Sequence, residues 1–365
     1  MLLFSNLKKY LLESNIYFNH IIHHTNNIVI NNSSPNYVLD LPGEFLYHEN
    51  GQLRNESWFK NGKLHRKGDL PAIIGYYYNE KLFSKRWYKN GKWHREGDLP
   101  ADISYYEGGQ PLRKSWYKNN IKHREGNLPA IIEYFENGQL SKQAWFENGK
   151  FHRERDLPAD ILYFENGQPL RKSWYQSNKL HREGDLPAEI LYYESGQIKK
   201  ETWYKGGEEY RENNLPVDIE YYENGQPWAQ VWYGNDNLSS YVEYYQNGQP
   251  EKESWYKNIK LHREGDLPAE ITYFENGQPK TQRWYRYGIL HREGELPAQI
   301  TYYENGKPSS ETWYKNGIEH REGDLPNFIE YYEDGQTSSE TWRKNDNFTD
   351  FVIKYNVNGE IISFK

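Results

Sequence analysis

The dipeptide His-Arg recurs along this chain, and its side chains are the ones whose type and spacing most suggest chemistry. Eight of the 12 histidines take part, at His65-Arg66, His94-Arg95, His123-Arg124, His152-Arg153, His181-Arg182, His262-Arg263, His291-Arg292 and His320-Arg321. A row of guanidinium groups could hold phosphate or an acidic partner, and histidine titrates at about pH 6.5. Acidic residues accompany almost every Arg, however. This favours a structural role, in which Arg ties down its own connection and His packs on an aromatic ring.

Aromatic residues form a second candidate surface, since the chain has 13 Trp, 34 Tyr and 14 Phe. Stacked aromatic faces bind sugars, and they bind quaternary amines by cation–π attraction. Because only 36% of the residues are hydrophobic, most of these rings are expected in the core. Tyr193, Tyr222 and Tyr303 are predicted to lie exposed on the second face of a sheet, as part of a contact surface.

Catalysis is not indicated. An active site needs one unique constellation of nucleophile, base and orienting group, whereas each candidate His, Arg, Asp and Glu here recurs up to nine times. There is no Cys, and neither a dinucleotide-binding nor a Walker motif occurs. We therefore expect no enzyme and no cofactor. His20, His23 and His24 could bind a metal if helical, but no carboxylate or Cys nearby completes the set, so we expect a polar patch.

Charge and hydropathy exclude further classes of protein. Forty-five basic and 52 acidic residues give a net charge of -7, so nucleic acid is not expected as a partner. The mean hydropathy is -1.08, and no run of about 20 apolar residues could span a bilayer. Lys8 and Lys9 interrupt the first apolar stretch, which argues against a signal peptide. An intracellular setting, cytoplasmic or viral, is predicted, and the lack of Cys fits it.

The positions that carry these side chains are set by a repeat. Trp recurs every 29 residues at Trp58, Trp87, Trp116, Trp145, Trp174, Trp203 and Trp232, and again at Trp255, Trp284, Trp313 and Trp342. One step, from Trp232 to Trp255, has 23 residues. The period predicts a repeat array over residues 38–365, preceded by a non-repeat cap or linker at residues 1–37. The break near residues 206–245 is expected either to bend the array or to mark a docking notch.

Each repeat reads as a β-hairpin. Residues 130–136 alternate branched or aromatic with polar side chains, as strands do. Asn137-Gly138 then predicts a two-residue type I′ turn. The 29-residue unit is six residues longer than the 23-residue unit, and the connection His-Arg-Glu-Gly-Asp-Leu-Pro is spliced into it. In its corner, Gly97 allows positive φ, Asp98 caps a turn, Leu99 is expected to be buried, and Pro100 ends pairing.

The fold predicted is all-β: an elongated antiparallel meander of about twelve stacked hairpins in a single sheet. The non-repeat head has Leu3, Phe4, Leu7, Tyr10 and Leu11 at helical spacing. It is predicted to form a short helical cap over the first hairpin, with a partner-docking helix as the alternative.

The pattern Tyr-Tyr-Glu-Asn-Gly-Gln…Trp-Tyr-Lys-Asn-Gly-Lys resembles MORN repeats, especially the variant MORN repeats, which are 23-residue hairpins stacked in a meander. With the added His-Arg-Glu-Gly-Asp-Leu-Pro, the chain is similar to uncharacterised repeat proteins of giant DNA viruses, phages and bacteria. The resemblance implies that fold. Because the family includes antitoxin-like members, and because MORN arrays are linked to membranes and phospholipids, the resemblance also implies these two functions as alternatives.

We therefore predict a non-enzymatic interaction or scaffold protein that binds another protein or further copies of itself. Its candidate contact residues are Arg66, Arg95, Arg124, Arg153, Arg182, His94, His123, His181, Tyr193, Tyr222 and Tyr303. The alternatives are an antitoxin-like protein, a phospholipid-associated protein, or a glycan binder that uses aromatic strips. The negative net charge argues against contact with a membrane surface.

Overall fold

Alternating strand residues and turn dipeptides give every repeat the same β-hairpin in the computed structural model, which describes residues 21–24, 27–30, 42–234, 238–343 and 350–365. In these residues the regular structure consists of 43 strands and no helix, so the predicted all-β class is confirmed. The chain divides into two compact units, Met1–Lys179 and Leu180–Lys365.

Each repeat contributes two long strands, here called the A strand and the B strand. The A strands are Glu44–Tyr47, Ile73–Tyr76, Asp102–Tyr105, Ile131–Tyr134, Asp160–Tyr163, Glu189–Tyr192, Asp218–Tyr221, Leu238–Tyr244, Glu270–Tyr273, Gln299–Tyr302, Phe328–Tyr331 and Phe351–Tyr355. The B strands are Leu53–Ser57, Leu82–Arg86, Pro111–Ser115, Leu140–Ala144, Pro169–Ser173, Ile198–Thr202, Pro227–Tyr233, Pro250–Lys257, Pro279–Arg283, Pro308–Thr312, Thr337–Trp342 and Ile361–Phe364. They make twelve hairpins, the number predicted.

Within each unit every long strand pairs antiparallel with the next, which is a meander. The first unit holds five hairpins and the second holds seven. Two further strands, Ile21–His24 and Asn27–Ile30, extend the sheet of the first unit, because Asn27–Ile30 pairs with Glu44–Tyr47. Residues 3–11, the predicted helix, lie outside the described residues, as does His20. His23 and His24 lie on a strand, not on the helix that the metal hypothesis required.

After most B strands the chain forms a small side hairpin of two-residue strands. These short strands are Phe59–Lys60, Lys63–Leu64, Tyr88–Lys89, Lys92–Trp93, Tyr117–Lys118, Ile121–Lys122, Phe146–Glu147, Lys150–Phe151, Tyr175–Gln176, Lys179–Leu180, Tyr204–Lys205, Glu208–Glu209, Lys260–Leu261, Tyr285–Arg286, Ile289–Leu290, Tyr314–Lys315 and Ile318–Glu319. The side hairpin leads into an eight-residue corner segment that runs from the His-Arg position to the residue before the next A strand. The corner segments are 65–72, 94–101, 123–130, 152–159, 181–188, 210–217, 262–269, 291–298 and 320–327.

The two kinds of hairpin use different turns, and the predicted type I′ turn between A and B strands is wrong. Gly138 N donates to Phe135 O at 2.9 Å, and φ is positive at Gly138 (87°) but not at Asn137. This is a three-residue loop, a type I turn followed by a left-handed Gly. Asn137 keeps negative φ because its Oδ1 accepts the Gln139 N–H at 2.9 Å. The type I′ turn occurs in the side hairpins instead, as at Asn90 (φ 51°) and Gly91 (φ 78°).

In most repeats the core centres on one Trp and one small residue, and in some an Ile of the A strand is buried as well. Eight of the repeat tryptophans are only 4–7% exposed, which confirms their predicted core role, and the Ala that ends most corner segments is fully buried. Trp116 N donates to Ala130 O at 2.8 Å, and Ala130 N donates to Ala144 O at 2.8 Å. The indole therefore packs where backbone pairing resumes after the corner. Aromatic side chains supply large apolar areas per residue, which a chain with few aliphatic residues needs.

Candidate binding surface of the corner segments

The arginine of the corner segment lies flat over the repeat tryptophan. The guanidinium carbon is 3.6–4.0 Å from the indole centroid in Arg66–Trp58, Arg95–Trp87, Arg124–Trp116, Arg153–Trp145, Arg211–Trp203, Arg263–Trp255, Arg292–Trp284 and Arg321–Trp313. In all nine corner arginines, those eight and Arg182, Nη1 also donates to the carbonyl of the Pro five residues later, as Arg182 does to Pro187 O at 3.2 Å. Cation–π attraction and this hydrogen bond close the corner over the core.

The same arginines connect consecutive corner segments. Arg95 donates Nε to Asp69 Oδ1 and Nη2 to Asp69 Oδ2, both at 2.6 Å, across 26 residues of sequence. Equivalent two-bonded pairs are Arg124–Asp98, Arg211–Asp185 and Arg292–Asp266. The hydrogen bond from Arg95 holds the pKa of Asp69 below its ordinary value. The guanidinium groups proposed for partner contact are thus engaged within the chain.

Some corner segments adopt a second arrangement. Asn127 has positive φ (56°), and its carbonyl accepts the Trp145 Nε1–H at 3.0 Å, while Arg153 Nε lacks a hydrogen-bond partner. At Glu295 the carbonyl likewise accepts from Trp313, at 2.9 Å, and Arg321 Nε lacks a partner. In the paired arrangement it is the indole N–H, as in Trp116, that lacks one. Each of these corners thus provides a hydrogen-bond acceptor either for the arginine Nε or for the indole N–H of the tryptophan.

The histidines also bond within the array. The Nδ1 atoms of His65, His181 and His291 accept a backbone N–H from the next side-hairpin turn at 3.1–3.3 Å. The Nε2 atoms of His94 and His181 lie 3.1 and 3.0 Å from the Glu two residues later. His123 is half-buried in the same row. Burial, together with Lys60, Lys89 and Lys67, lowers the pKa of His65, which favours the neutral ring that an accepting Nδ1 requires.

The tyrosines predicted to lie exposed on the second face are half-buried and bonded to the next repeat. Tyr193, Tyr222 and Tyr303 donate their hydroxyls to the carbonyls of Tyr221, Tyr244 and Tyr331 at 2.7 Å. The same bond is made by Tyr77, Tyr106, Tyr245 and Tyr332. At the equivalent place His48 Nε2 lies 3.1 Å from Tyr76 O. This ladder joins repeats, and sequence reasoning missed it because each bond spans 22 to 28 residues.

Buried ion pairs on one face of the sheet were also not predicted. The Asp102 carboxylate is 2% exposed and lies between Arg113 (2.8 Å) and Arg86 (3.5 Å). Glu270 lies between Lys252 and Arg283, each at 2.8 Å. Burial alone would raise the pKa of Glu270, but these two cations together hold it below its ordinary value. The sequence signal for these pairs was the alternation of acidic residues on A strands with basic residues on the neighbouring B strands.

The leucine of the corner segment was predicted to be buried, and this prediction is wrong. Nine leucines at this position are 38–50% exposed: Leu70, Leu99, Leu128, Leu157, Leu186, Leu215, Leu267, Leu296 and Leu325. The reason is that Pro129 has no N–H, so pairing resumes only at Ala130, and Leu128 stays outside the corner. We call these nine residues the leucine row.

Two of these leucines, Leu99 and Leu186, border a hollow between two corner segments. Leu99 lines one of about 250 Å³ together with Trp116 and His123. In the second unit Leu186 lines one of about 240 Å³ with Trp203 and Tyr210. The two sets of lining residues occupy the same positions of the repeat, so the surface presents the same hollow, lined by charged and aromatic side chains, more than once.

The 23-residue unit interrupts this surface. Pro227–Tyr233 pairs directly with Leu238–Tyr244, with Trp232 opposite Ser240, so no corner segment intervenes. A cavity of about 480 Å³ lies there, lined by Trp232, Trp255, Leu238, Asn214 and Arg263 among others. We call it the notch. The sequence located this break, and the structure shows an aromatic-lined opening at it.

No helix among the described residues is long and apolar enough to cross a membrane. Within the described ranges, no group of three or more His, Asp or Glu side chains could hold one metal ion.

Comparison with known proteins supports a MORN-repeat-like protein through one matched segment. A family model described as a MORN repeat variant matches residues 298–316, which cover one A strand, one B strand and the start of a side hairpin. No curated protein matches. The crystal structure of TcdB2-TccC3-TEV aligns over 89% of this chain and 16% of that chain, with 14% identity and a TM-score of 0.14. The crystal structure of TcdB2-TccC3 aligns over 89% of this chain and 21% of that chain, with 9% identity and a TM-score of 0.12. The chain spans about a fifth or less of those two chains, and such scores support no further conclusion.

Proposed function

We propose that this MORN-repeat-like protein is a non-enzymatic scaffold, which binds another protein through the leucine row and its hollows. The observation that carries the proposal is the exposure of the same leucine in nine corner segments. Apolar side chains aligned at one repeat position suit a contact made many times over, and multivalency raises affinity without any strong single contact.

The energetics fit a cumulative contact. Covering a leucine that is already half-buried contributes about 1 kcal/mol. Four leucines lie in the first unit and five in the second, so within either unit a partner gains from each leucine that it covers. The hollows add an indole and an imidazole beside Leu99 and beside Leu186. This combination of apolar centre and polar rim is typical of protein interfaces.

The other candidate functions find less support in the geometry. A phospholipid contact through the His-Arg edge needs free guanidinium groups, whereas those of Arg95 and Arg124 are ion-paired. A glycan strip needs open aromatic faces, but arginines cover most of the repeat indoles. The antitoxin-like, phospholipid and glycan functions stay predictions, as does the intracellular setting. That the protein is not an enzyme is part of the proposal.

The test compares leucine-row variants with equally exposed controls. The triple variant Leu99→Ser, Leu128→Ser, Leu157→Ser is expected to lose at least tenfold in affinity for the protein that copurifies with the wild-type chain. Ile121, Ile289 and Ile318 of the side hairpins are exposed to a similar degree, so their Ser variants control for lost apolar area. Equal loss in both triple variants would overturn the proposal, provided that thermal unfolding shows both to be folded.

A further inference from the structure

The notch exposes an indole face that other repeats cover. Eight corner arginines stack on their tryptophans, but in the part of the chain that the structure describes no guanidinium lies over Trp232. The side chain of Trp232 is half-buried, whereas Trp203, with Arg211 above it, is buried. The difference follows from the missing corner segment, which elsewhere supplies the arginine.

Arg263, on the other side of the notch, lacks the carboxylate that four other corner arginines bind. Arg211 and Arg292 each bond to the Asp of the preceding corner segment. No corner segment immediately precedes Arg263, and within the described residues no carboxylate lies at ion-pair distance from it. Its guanidinium carbon lies 3.6 Å from the Trp255 ring centroid, and its Nη1 donates to Pro268 O at 3.3 Å. One opening thus has an uncovered Trp and an Arg without its Asp.

Asn214 supplies a third part of the pattern. It occupies the corner position that Asp185 holds one repeat earlier, where the carboxylate accepts from the following arginine. It lines the notch, with positive φ (56°) as at Asn127, so binding of an arginine by its side-chain oxygen requires this corner to take the paired arrangement. The notch holds about 480 Å³, against about 240 Å³ for the hollow at Leu186, which leaves room for an additional segment.

We infer that the notch binds a loop of a partner protein that carries an arginine and, three residues later, an aspartate. Its arginine stacks on Trp232 and donates to Asn214, and its aspartate accepts from Arg263. This spacing is that of Arg182 and Asp185 in a corner segment of the chain itself. The inference rests on the proposed function in assuming a protein partner, and it assigns that partner a second, sequence-specific contact.

The experiment uses the full chain and a fluorescent peptide with the sequence His-Arg-Glu-Gly-Asp-Leu-Pro-Ala, which is identical to residues 181–188. Fluorescence anisotropy is expected to show saturable binding with a Kd at or below about 1 mM. A peptide with citrulline in place of Arg, which keeps the shape but removes the charge, is expected to bind at least tenfold more weakly. A peptide with Asn in place of Asp tests the contact with Arg263 in the same way.

Two protein variants complete the design. Asn214→Asp restores the usual carboxylate and is expected to tighten peptide binding about three- to tenfold. Trp232→Leu removes the indole face and is expected to weaken binding at least tenfold. Because Trp232→Leu also alters the core, the gain in Asn214→Asp is the more decisive result.

No saturable binding to either the wild type or Asn214→Asp would overturn the inference, and so would equal affinity for the Arg and citrulline peptides. Self-association that the peptide competes with would identify the notch as a contact between copies and likewise overturn it. Failure here is distinguishable from failure of the proposed function. The leucine-row triple variant leaves the notch intact, and its partner capture is measured separately.

Discussion

Arg95 and Asp69, which are 26 residues apart, form a two-bonded ion pair that joins the corner segments of consecutive repeats. Side-chain exposure is 13% for Arg95 and 53% for Asp69, so solvent screens the pair and its net contribution is modest. Its importance lies in repetition, because stability in a repeat array is a sum of terms between nearest neighbours. The pairs and the tyrosine ladder supply such terms.

The first prediction concerns the two arrangements of the corner. Asp98→Asn removes the carboxylate that Arg124 binds and is expected to shift the corner towards the arrangement seen at Asn127. The indole N–H of Trp116 then donates to the carbonyl of residue 98, so its hydrogen exchange should slow, while that of Trp145 should not change. The free energy of unfolding is expected to fall by about 1 kcal/mol or less. A loss above about 2 kcal/mol, or unchanged exchange at Trp116, would contradict the two-arrangement account.

The second prediction uses a gap in the tyrosine ladder. Phe135 occupies the place of Tyr106, whose hydroxyl donates to Tyr134 O at 2.8 Å. Phe135→Tyr is expected to add the equivalent bond to the carbonyl of Tyr163 and to raise the free energy of unfolding by about 0.5–1 kcal/mol. Tyr106→Phe should lower it by a similar amount. Urea titration of the two variants measures both changes, and the same sign in both would refute the ladder.

The third prediction concerns the stacked arginine. Arg124 lies 4.0 Å from the Trp116 centroid and bonds to Pro129 O and Asp98. Arg124→Lys keeps the charge but loses the planar two-bonded geometry, so an unfolding free energy lower by about 1–2 kcal/mol is expected. Arg54, which is exposed, gives the control: Arg54→Lys should change stability by less than about 0.5 kcal/mol.

The fourth prediction is a two-step loss of stability on acidification. The pKa of His65 is lowered in the folded chain, mainly by burial, so its contribution is present above the unfolded value of about 6.5 and is lost below it. The pKa of Asp69 is lowered by Arg95, so its contribution is present above about pH 3.9 and is lost as the pH falls through the carboxyl range. The urea midpoint should therefore decline below about pH 6.5 and again below about pH 4. His65→Gln should flatten the first decline, and Asp69→Asn the second.

Particular residues show how much of the fold could be predicted from the sequence. The spacing of Trp58 to Trp232 gave the period, and alternation gave the strands, because both signals are local. Asn-Gly could not give the turn type, since the same dipeptide forms a type I turn with a left-handed Gly at 137–138 and a type I′ turn at 90–91. Leu128 reads as a core residue, and its exposure depends on where backbone pairing resumes.

The notch shows the same limit. The sequence located the missing six residues, but not which side chains would be left without partners. That Trp232 lacks an arginine and Arg263 lacks an aspartate depends on contacts between repeats, and each such contact spans about one repeat of sequence. Aligning the repeats by their Arg and Asp positions is the signal that could have suggested it.

The leucine row is tested most directly by photo-cross-linking in the native cell, with p-benzoylphenylalanine placed in turn at Leu99, Leu128, Leu186 and Leu296, and at Ile121 and Ile289 as controls. The account predicts that one protein partner is cross-linked from all four leucine positions, at least tenfold more than from the isoleucine positions. Equal cross-linking from both sets, or cross-linking only from the side hairpins, would contradict it.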